Sequence, residues 1–284
     1  MNKGTMPDDR KLQQQLLDTA IRENMAQIKH KIIIMSGKGG VGKSTVATNL
    51  AFGLALAGFK IGLLDTDIHG PSLGKMLGIE GQMVQPSEKG PGLLPIEVKG
   101  IKVITMASLL QDADAPVIWR GPLKMGAIKQ FLGDIEWGEL DYLVIDSPPG
   151  TGDEPLSVCQ LIPEADGSII VTTPQDVALI DSRKTVRFSQ ALKIPILGII
   201  ENMSGFNCPH CGKPINLFKV GGGERAANSM AIPFLGRIPI DPKIVDSSDN
   251  GFAYIYDYAK EPAGEAMQEI VNKIIVETEE KRAA

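Results

Sequence analysis

The sequence predicts an α/β fold in three layers, with a mostly parallel central sheet flanked by helices. Three observations predict it. Apolar runs recur at 31–35, 61–64, 142–145, 168–171 and 196–200, most of them separated by helical stretches. The runs are continuous rather than alternating, which marks strands buried on both faces, and strands alternating with helices build a parallel sheet. The first run, Lys31-Ile32-Ile33-Ile34-Met35, leads into a glycine-rich loop and then a helical pattern from Val46 to Ala57. That is the strand–loop–helix order of a phosphate-cradling unit.

Taken in order, Asp9 to Ile28 is expected to be a helix, because Leu12, Leu16, Ala20 and Ile28 fall at helical spacing among charged residues. Residues 1–30 are therefore expected to be an N-terminal helical extension, and 31–284 a single domain with no linker long enough to divide it. The stretch 80–92 is turn-rich and polar and is expected to be a mobile loop. Leu93 to Val98 and Ile101 to Met106, joined by Lys99-Gly100, predict a two-strand excursion. Pro262 to Arg282 carries Ala266, Ile270 and Ile274 opposite a mixed-charge face and predicts a closing helix.

With 284 residues, 43% of them hydrophobic, the chain suits one large α/β domain or two small ones with ample core. The net charge of −5 disfavours a general nucleic-acid binder. No segment approaches the roughly 20 apolar residues that cross a bilayer, and Met1–Gln15 lacks the apolar centre of a secretion signal. A cytoplasmic protein is the expectation, with no membrane and no nucleic-acid partner. Three cysteines in such a chain suggest metal or redox chemistry rather than structural disulfides.

Residues 37–45, Gly-Lys-Gly-Gly-Val-Gly-Lys-Ser-Thr, fit G-x-x-x-x-G-K-[ST] and make the fold a P-loop NTPase. Gly37, Gly39, Gly40 and Gly42 let backbone N–H groups, with those of Val41, Ser44 and Thr45, close on the phosphates of ATP. The helix N-terminus adds positive potential. Lys43 is expected against the β- and γ-phosphates and Ser44 on Mg²⁺. Lys38 is a second loop lysine, either a solvated side chain or a further cation for the charge that grows during phosphoryl transfer.

Carboxylates at strand ends complete the nucleotide site, since ligands of open α/β sheets bind beyond those ends. Asp65 and Asp67 close the run 61–64 and, as alternate residues, point the same way. Asp67 is the candidate for orienting the attacking water, its alternative being a turn residue. Asp65 and Asp146, the latter ending Tyr142–Ile145, are candidates for holding Mg²⁺ through water. Pro148 to Asp153 suits a switch that senses the γ-phosphate. Asn202 ends another strand with an amide that matches the edge of adenine, or is an ordinary turn residue.

Cys208-Pro209-His210-Cys211 spaces two thiolates for one metal centre. Only two ligands are supplied, and a second subunit across a two-fold axis would bring the missing pair. A bridging [4Fe–4S] cluster and Zn²⁺ both fit. A thioredoxin-like redox pair shares the spacing but sits near the start of a βαβ unit, not in a late Gly/Asn-rich loop. Cys159, among Leu156, Val158 and Leu161, is expected in the core. His30 and His69 show no catalytic partner, and His210 is expected to be exposed.

Gly37–Thr45, Asp65–Ser72, Trp119-Arg120-Gly121-Pro122, Asp141–Glu154, Val171–Gln175 and Cys208–Gly212 together resemble the Mrp family of iron–sulfur cluster carrier ATPases, of the deviant-loop group that includes the Min-type and Par-type ATPases. The resemblance runs from about residue 25 to residue 260. It implies a homodimer with ATP at the interface, where Lys38 serves the facing subunit's nucleotide. It also implies a labile [4Fe–4S] cluster held by Cys208 and Cys211 of both subunits, taken from cluster donors and delivered to apo-proteins, with ATP hydrolysis gating loading or release. Some relatives carry an extra N-terminal cysteine motif; Met1 to Lys31 has no cysteine, so one bridging cluster is implied. Two other readings stand beside this one: a spatial-organising ATPase, and an ATPase whose Zn²⁺ only holds the dimer together.

Overall fold

The structure, a computed structural model, describes residues 7–283 except 68, 69, 71, 89, 110–120, 209 and 216. Ile68, His69, Pro71, Trp119, Arg120 and Pro209, all in motifs quoted above, lie outside the described residues.

The first half of the chain runs α1 (Pro7–Ala26), β1 (Ile28–Ser36), α2 (Lys43–Leu56), β2 (Ile61–Asp65), α3 (Leu73–Met76), β3 (Gln85–Pro86), β4 (Leu93–Leu94), β5 (Ile96–Val98), β6 (Ile101–Ile104) and α4 (Gly121–Gly133). It continues through β7 (Leu140–Asp146), α5 (Asp153–Leu161), β8 (Gly167–Thr172), α6 (Asp176–Ala191), β9 (Ile196–Glu201), β10 (Phe206–Asn207) and β11 (Pro214–Ile215). It closes with α7 (Gly222–Ser229), β12 (Phe234–Arg237), α8 (Pro242–Asp249), α9 (Tyr254–Asp257) and α10 (Pro262–Ala283). Eight strands form one sheet in the order β12-β9-β8-β1-β7-β2-β6-β5, parallel except for the β5–β6 edge pair.

The unbroken apolar runs serve two cores at once. Side chains alternate across a strand, so Ile32 and Ile34 of β1 pack into one cluster while Ile33 and Met35 pack into the other. On β7, Tyr142 and Val144 divide from Leu143 and Ile145 in the same way. The first cluster is roofed by α2, α9 and α10, the second by α1, α4 and α5. Helix α2 is buried along most of its length, as a helix apolar on every side must be. This burial holds the start of α2, and the loop before it, fixed against the sheet.

Three expectations are corrected. The first helix ends at Ala26, because Ile28 already pairs with Leu140 of β7 as part of β1. The two-strand excursion is an extension of the main sheet: β6 lies parallel to β2, and Pro95 divides the preceding run into β4 and β5. The loop 80–92 contains β3, which pairs antiparallel with β4.

Helix α1 docks on α4 through Asn24, whose Nδ2 donates to the carbonyls of Leu132 (3.2 Å), Gly133 (2.7 Å) and Ile135 (3.1 Å). Lys129 pairs with Asp18 at 2.7 Å, and Ile21 and Met25 are buried beneath. Asn24→Ala strands carbonyl oxygens, so it is expected to lower the free energy of unfolding by about 1–3 kcal/mol in urea titration. An unchanged midpoint would contradict this account of how α1 is held.

Candidate functional site

The carboxyl ends of β1, β2, β7 and β9 face a cleft of roughly 570 Å³. Lys38, Gly39, Gly40, Gly42, Lys43, Ser44, Thr45, Asp67 and Asn202 all line it, so most of the nucleotide-site candidates share one place. The loop is shaped by its glycines: Gly40 and Gly42 sit at φ +79° and +81°, the left-handed region that L side chains disfavour. A Cβ at Gly42 would also collide with the Asn202 amide. Val41 is buried in the core and anchors the loop from below. Gly37 backs onto the Asp181 backbone of α6 rather than onto the cleft.

Beneath the loop lies a cluster of charge. Lys43 Nζ donates to Asp146 Oδ1 at 2.5 Å, with both groups buried. Asp146 Oδ2 is buried without a hydrogen-bond partner among the described residues. Asp65 is directly opposite Asp146 on the neighbouring strand. Its Oδ1 accepts from the Asp67 backbone N–H at 2.9 Å, and its Oδ2 from Thr105 Oγ1 at 3.0 Å. Both its oxygens are thus engaged within the protein, and it neighbours Asp67 rather than lining the cleft. Burial, and then repulsion from Asp146, push the Asp65 carboxyl up to about 8. Burial also raises Asp146, against the pull of Lys43.

This shift has a sign. The folded state holds the Asp65 proton between the ordinary carboxylate range and about pH 8, where the unfolded chain has released it. Its contribution to stability is complete below about pH 4 and is lost as pH rises toward 8. Asp65→Asn keeps both contacts without a charge. It is therefore expected to leave stability nearly unchanged below about pH 4 and to raise it by a margin that grows from pH 5 to pH 8.5 relative to the parent, as read by denaturant midpoints without added nucleotide. A gap between the two proteins that did not widen with pH would contradict the assignment.

Asn202 is buried at the cleft wall, where its Nδ2 donates to Val41 O at 2.9 Å. One of the two amide N–H groups is thus used on the phosphate loop, which leaves the other and Oδ1 for a ligand. Lys38 is half-buried on the cleft, and among the described residues it forms no ion pair. Residues 149–153 are largely exposed beside the loop, tethered by Gly150 N–H to Ser36 O at 2.8 Å.

Cys208 and Cys211 stand on a hairpin made by β10 and β11. Cys208 N–H donates to Lys213 O at 3.0 Å, and Gly212 N–H to Cys208 O at 2.8 Å. Backbone N–H groups of His210 and Cys211 aim at the Cys208 sulfur and lower its thiol pKa, which favours the thiolate that binds metal. Cys211 and His210 are exposed. Among the described residues no third His, Cys, Asp or Glu joins the pair. Cys159 is in the core on α5, its thiol pushed up to about 11 by burial. His30 has a carboxylate partner that the sequence did not reveal. Buried and stacked on Tyr142, it meets Asp166 Oδ1 at 2.9 Å, near the start of β1 and away from the cleft.

Sequence reasoning missed the apolar wall of the cleft. Leu217 and Phe218, from the segment that follows the cysteine hairpin, line it with Ile240 and Ile244. Leu217 is 60% exposed and Phe218 38%. A short exposed apolar pair in an irregular segment carries no periodic signal. Also missed was Glu201, a fully buried carboxyl at the end of β9; a carboxylate closing an apolar strand, beside Asn202, was the available clue.

Comparison with known proteins adds the following. The family model described as ParA, NUBPL iron-transfer P-loop NTPase, matches residues 27–275. The chain is 53% identical over 282 residues to an iron-sulfur cluster carrier protein of Methanocaldococcus jannaschii, covering 99% of this chain and 96% of the relative. It is 50% identical over 239 residues to a cytosolic Fe-S cluster assembly factor NUBP2 homolog of Dictyostelium discoideum, covering 82% and 89%. Among solved structures, a nucleotide-binding protein of Archaeoglobus fulgidus in complex with ADP superposes with a TM-score of 0.75 at 41% identity, over 84% of this chain and 93% of that one. The septum site-determining protein MinD of Pyrococcus horikoshii gives 0.65 at 22% identity, over 87% and 96%, a likeness of fold.

Proposed function

This chain belongs to the NUBPL/Mrp-type iron–sulfur cluster carrier P-loop NTPases of the MinD/ParA group, and on that premise we propose that it is an ATP-hydrolysing carrier. It works as a homodimer, holds one [4Fe–4S] cluster as cargo between Cys208 and Cys211 of both subunits, and passes the cluster to apo-proteins. Its site of action is the cytoplasm. Among the described residues no helix is long and apolar enough to cross a membrane, and the Dictyostelium relative is named as cytosolic.

The observation that carries this reading is that the cysteine hairpin and the apolar wall of the nucleotide cleft belong to one stretch of chain, 203–221. Whatever the nucleotide does to Leu217 and Phe218 is felt by the segment bearing the cysteines. The exposed hairpin, built on strands of two residues each, also favours releasable cargo over a structural Zn²⁺.

Lys43 is paired with Asp146. ATP draws Lys43 to the β- and γ-phosphates while the loop N–H groups close on their oxygens. The oxygen donors Ser44 Oγ and the unpartnered Asp146 Oδ2 fit Mg²⁺, a hard cation that takes oxygen ligands; Ser44 would bind it directly and Asp146 through water. Bound there, Mg²⁺ supplies neutralisation of phosphate charge. Asp65 acts by fixing the Asp67 backbone, whose N–H donates to its Oδ1 at 2.9 Å. Asp67 accepts a hydrogen bond from the attacking water and aims it in line at the γ-phosphorus, so that the bond to the β-phosphate oxygen breaks and ADP leaves. Lys38 of the facing subunit adds a cation to the oxygens that gain charge. Asn202 Oδ1 accepts from the adenine amino group.

The reading is tested by cluster transfer. Anaerobically reconstituted protein is mixed with an apo-acceptor of the [4Fe–4S] class, and acceptor activity is followed with ATP, with ADP and without nucleotide. Nucleotide-dependent recovery of acceptor activity is the expected result. A tightly held Zn²⁺ that resists replacement by iron and sulfide would instead favour the structural-metal reading.

A further inference from the structure

Residues 203–221 leave the fold and return to it beside one buried side chain, the outgoing end being held also by Ser204 N–H to Ile238 O at 2.9 Å and Ile240 N–H to Gly205 O at 2.8 Å. Glu201, the last residue of β9, is fully buried. Its Oε1 accepts from Ser204 Oγ at 2.5 Å and from Gly221 N–H at 2.8 Å, and its Oε2 accepts from Gly223 N–H. Arg237 Nε of β12 lies 3.7 Å from Oε1. Ser204 stands at the outgoing end of the excursion, and Gly221 and Gly223 at the returning end, where α7 begins. One carboxyl therefore clamps both ends of the segment that carries Cys208 and Cys211.

The clamp adjoins the nucleotide site. The residue after Glu201 is Asn202, which holds the phosphate loop through Val41 O. Met203, the next residue, lines the cleft, as do Leu217 and Phe218 farther along the excursion. A buried carboxyl is costly unless its lone pairs are used, and the hydrolysis described above makes no use of Glu201. Its short hydrogen bonds go to the two ends of the excursion.

We propose that Glu201 is the positioning residue that couples nucleotide state to the cysteine hairpin, by making 203–221 pivot as one body. With both ends pinned to one group, a displacement of Leu217 and Phe218 by nucleotide is carried to the hairpin instead of being absorbed at the ends. Coupling of this kind needs an element with two arrangements that both sites bias. The clamped excursion is that element. The inference rests on the carrier reading given above and names the residue through which it operates.

Alkylation of the reduced, metal-free protein by iodoacetamide tests this without any loaded cluster. Modification of Cys208 and Cys211 is followed by mass spectrometry with Mg²⁺ and either ATP or ADP, and buried Cys159 serves as the internal control for unfolding. The parent is expected to show a roughly fivefold or larger difference in rate between the two nucleotides, the lower end of ordinary allosteric coupling. Glu201→Gln places an amide donor against a backbone donor. It is expected to remove that difference while leaving ATP affinity and Cys159 protection unchanged. Ser204→Ala, which deletes one donor and disturbs packing less, is expected to reduce the difference in part. It supplies the test should Glu201→Gln fail to fold. A parent without any nucleotide effect would overturn the coupled-carrier reading itself. A parent with the effect, matched by an equal effect in Glu201→Gln or in Ser204→Ala, would overturn the assignment of Glu201 alone.

Discussion

Lys43→Ala is expected to lower kcat for ATP hydrolysis by roughly 10²–10³-fold, the ordinary cost of removing one preorganised donor from a site of developing charge. In this account the side chain that would neutralise the β- and γ-phosphates is lost, and among the described residues lining the cleft Lys38 is the other cation. Lys38 serves the facing nucleotide in this account, so it does not compensate. The substitution also acts on the protein before nucleotide arrives. Asp146 loses the partner at 2.5 Å that holds its charge inside the fold, and burial then drives it to the protonated form. The variant is accordingly expected to bind Mg²⁺ and ATP less well at neutral pH, and to fold best under mildly acidic conditions. Steady-state phosphate release checks the first part and denaturation at two pH values the second. Turnover within about twofold of the parent would contradict the role given to Lys43.

The second large effect concerns the metal. Cys208→Ala is expected to abolish cluster binding, taking iron from roughly four atoms per dimer to near zero, with ATP affinity unchanged. Half the ligands of a shared centre vanish with one substitution, because each appears twice across the two-fold axis. Cys208 is the sharper choice of the pair. The N–H groups of His210 and Cys211 stabilise its thiolate, which is the form that binds iron. Iron and acid-labile sulfide analysis after anaerobic reconstitution reads the result. A variant that retained a full cluster would remove the cysteine hairpin from the account.

Much of the fold was legible because the physics behind it is local. Five of the parallel strands announced themselves as apolar runs, since a strand buried on both faces must be apolar at every position. The phosphate loop was legible because glycine takes the left-handed backbone of Gly40 and Gly42 without the strain a side chain brings. What escaped was set by tertiary geometry. Pro95 and the pairing partner of β4 decided the fate of residues 85–98, and no periodicity encodes a two-residue strand. Asp65 read as a holder of Mg²⁺ through water, and what the sequence did not show is that Asp67 N–H and Thr105 Oγ1 both donate to it; Thr105 lies forty residues away in sequence. The roles of Glu201, Leu217 and Phe218 depend on how an irregular segment folds back across the cleft, which composition does not report.

The central claim is that two copies of this chain complete one metal centre. Sedimentation of the anaerobically reconstituted protein, with iron quantified across the boundary, tests it most directly. The account predicts a dimer carrying about four iron atoms, which reverts toward monomer when the cluster is removed by a chelator without nucleotide present. A monomer that carries its own full complement of metal would contradict it.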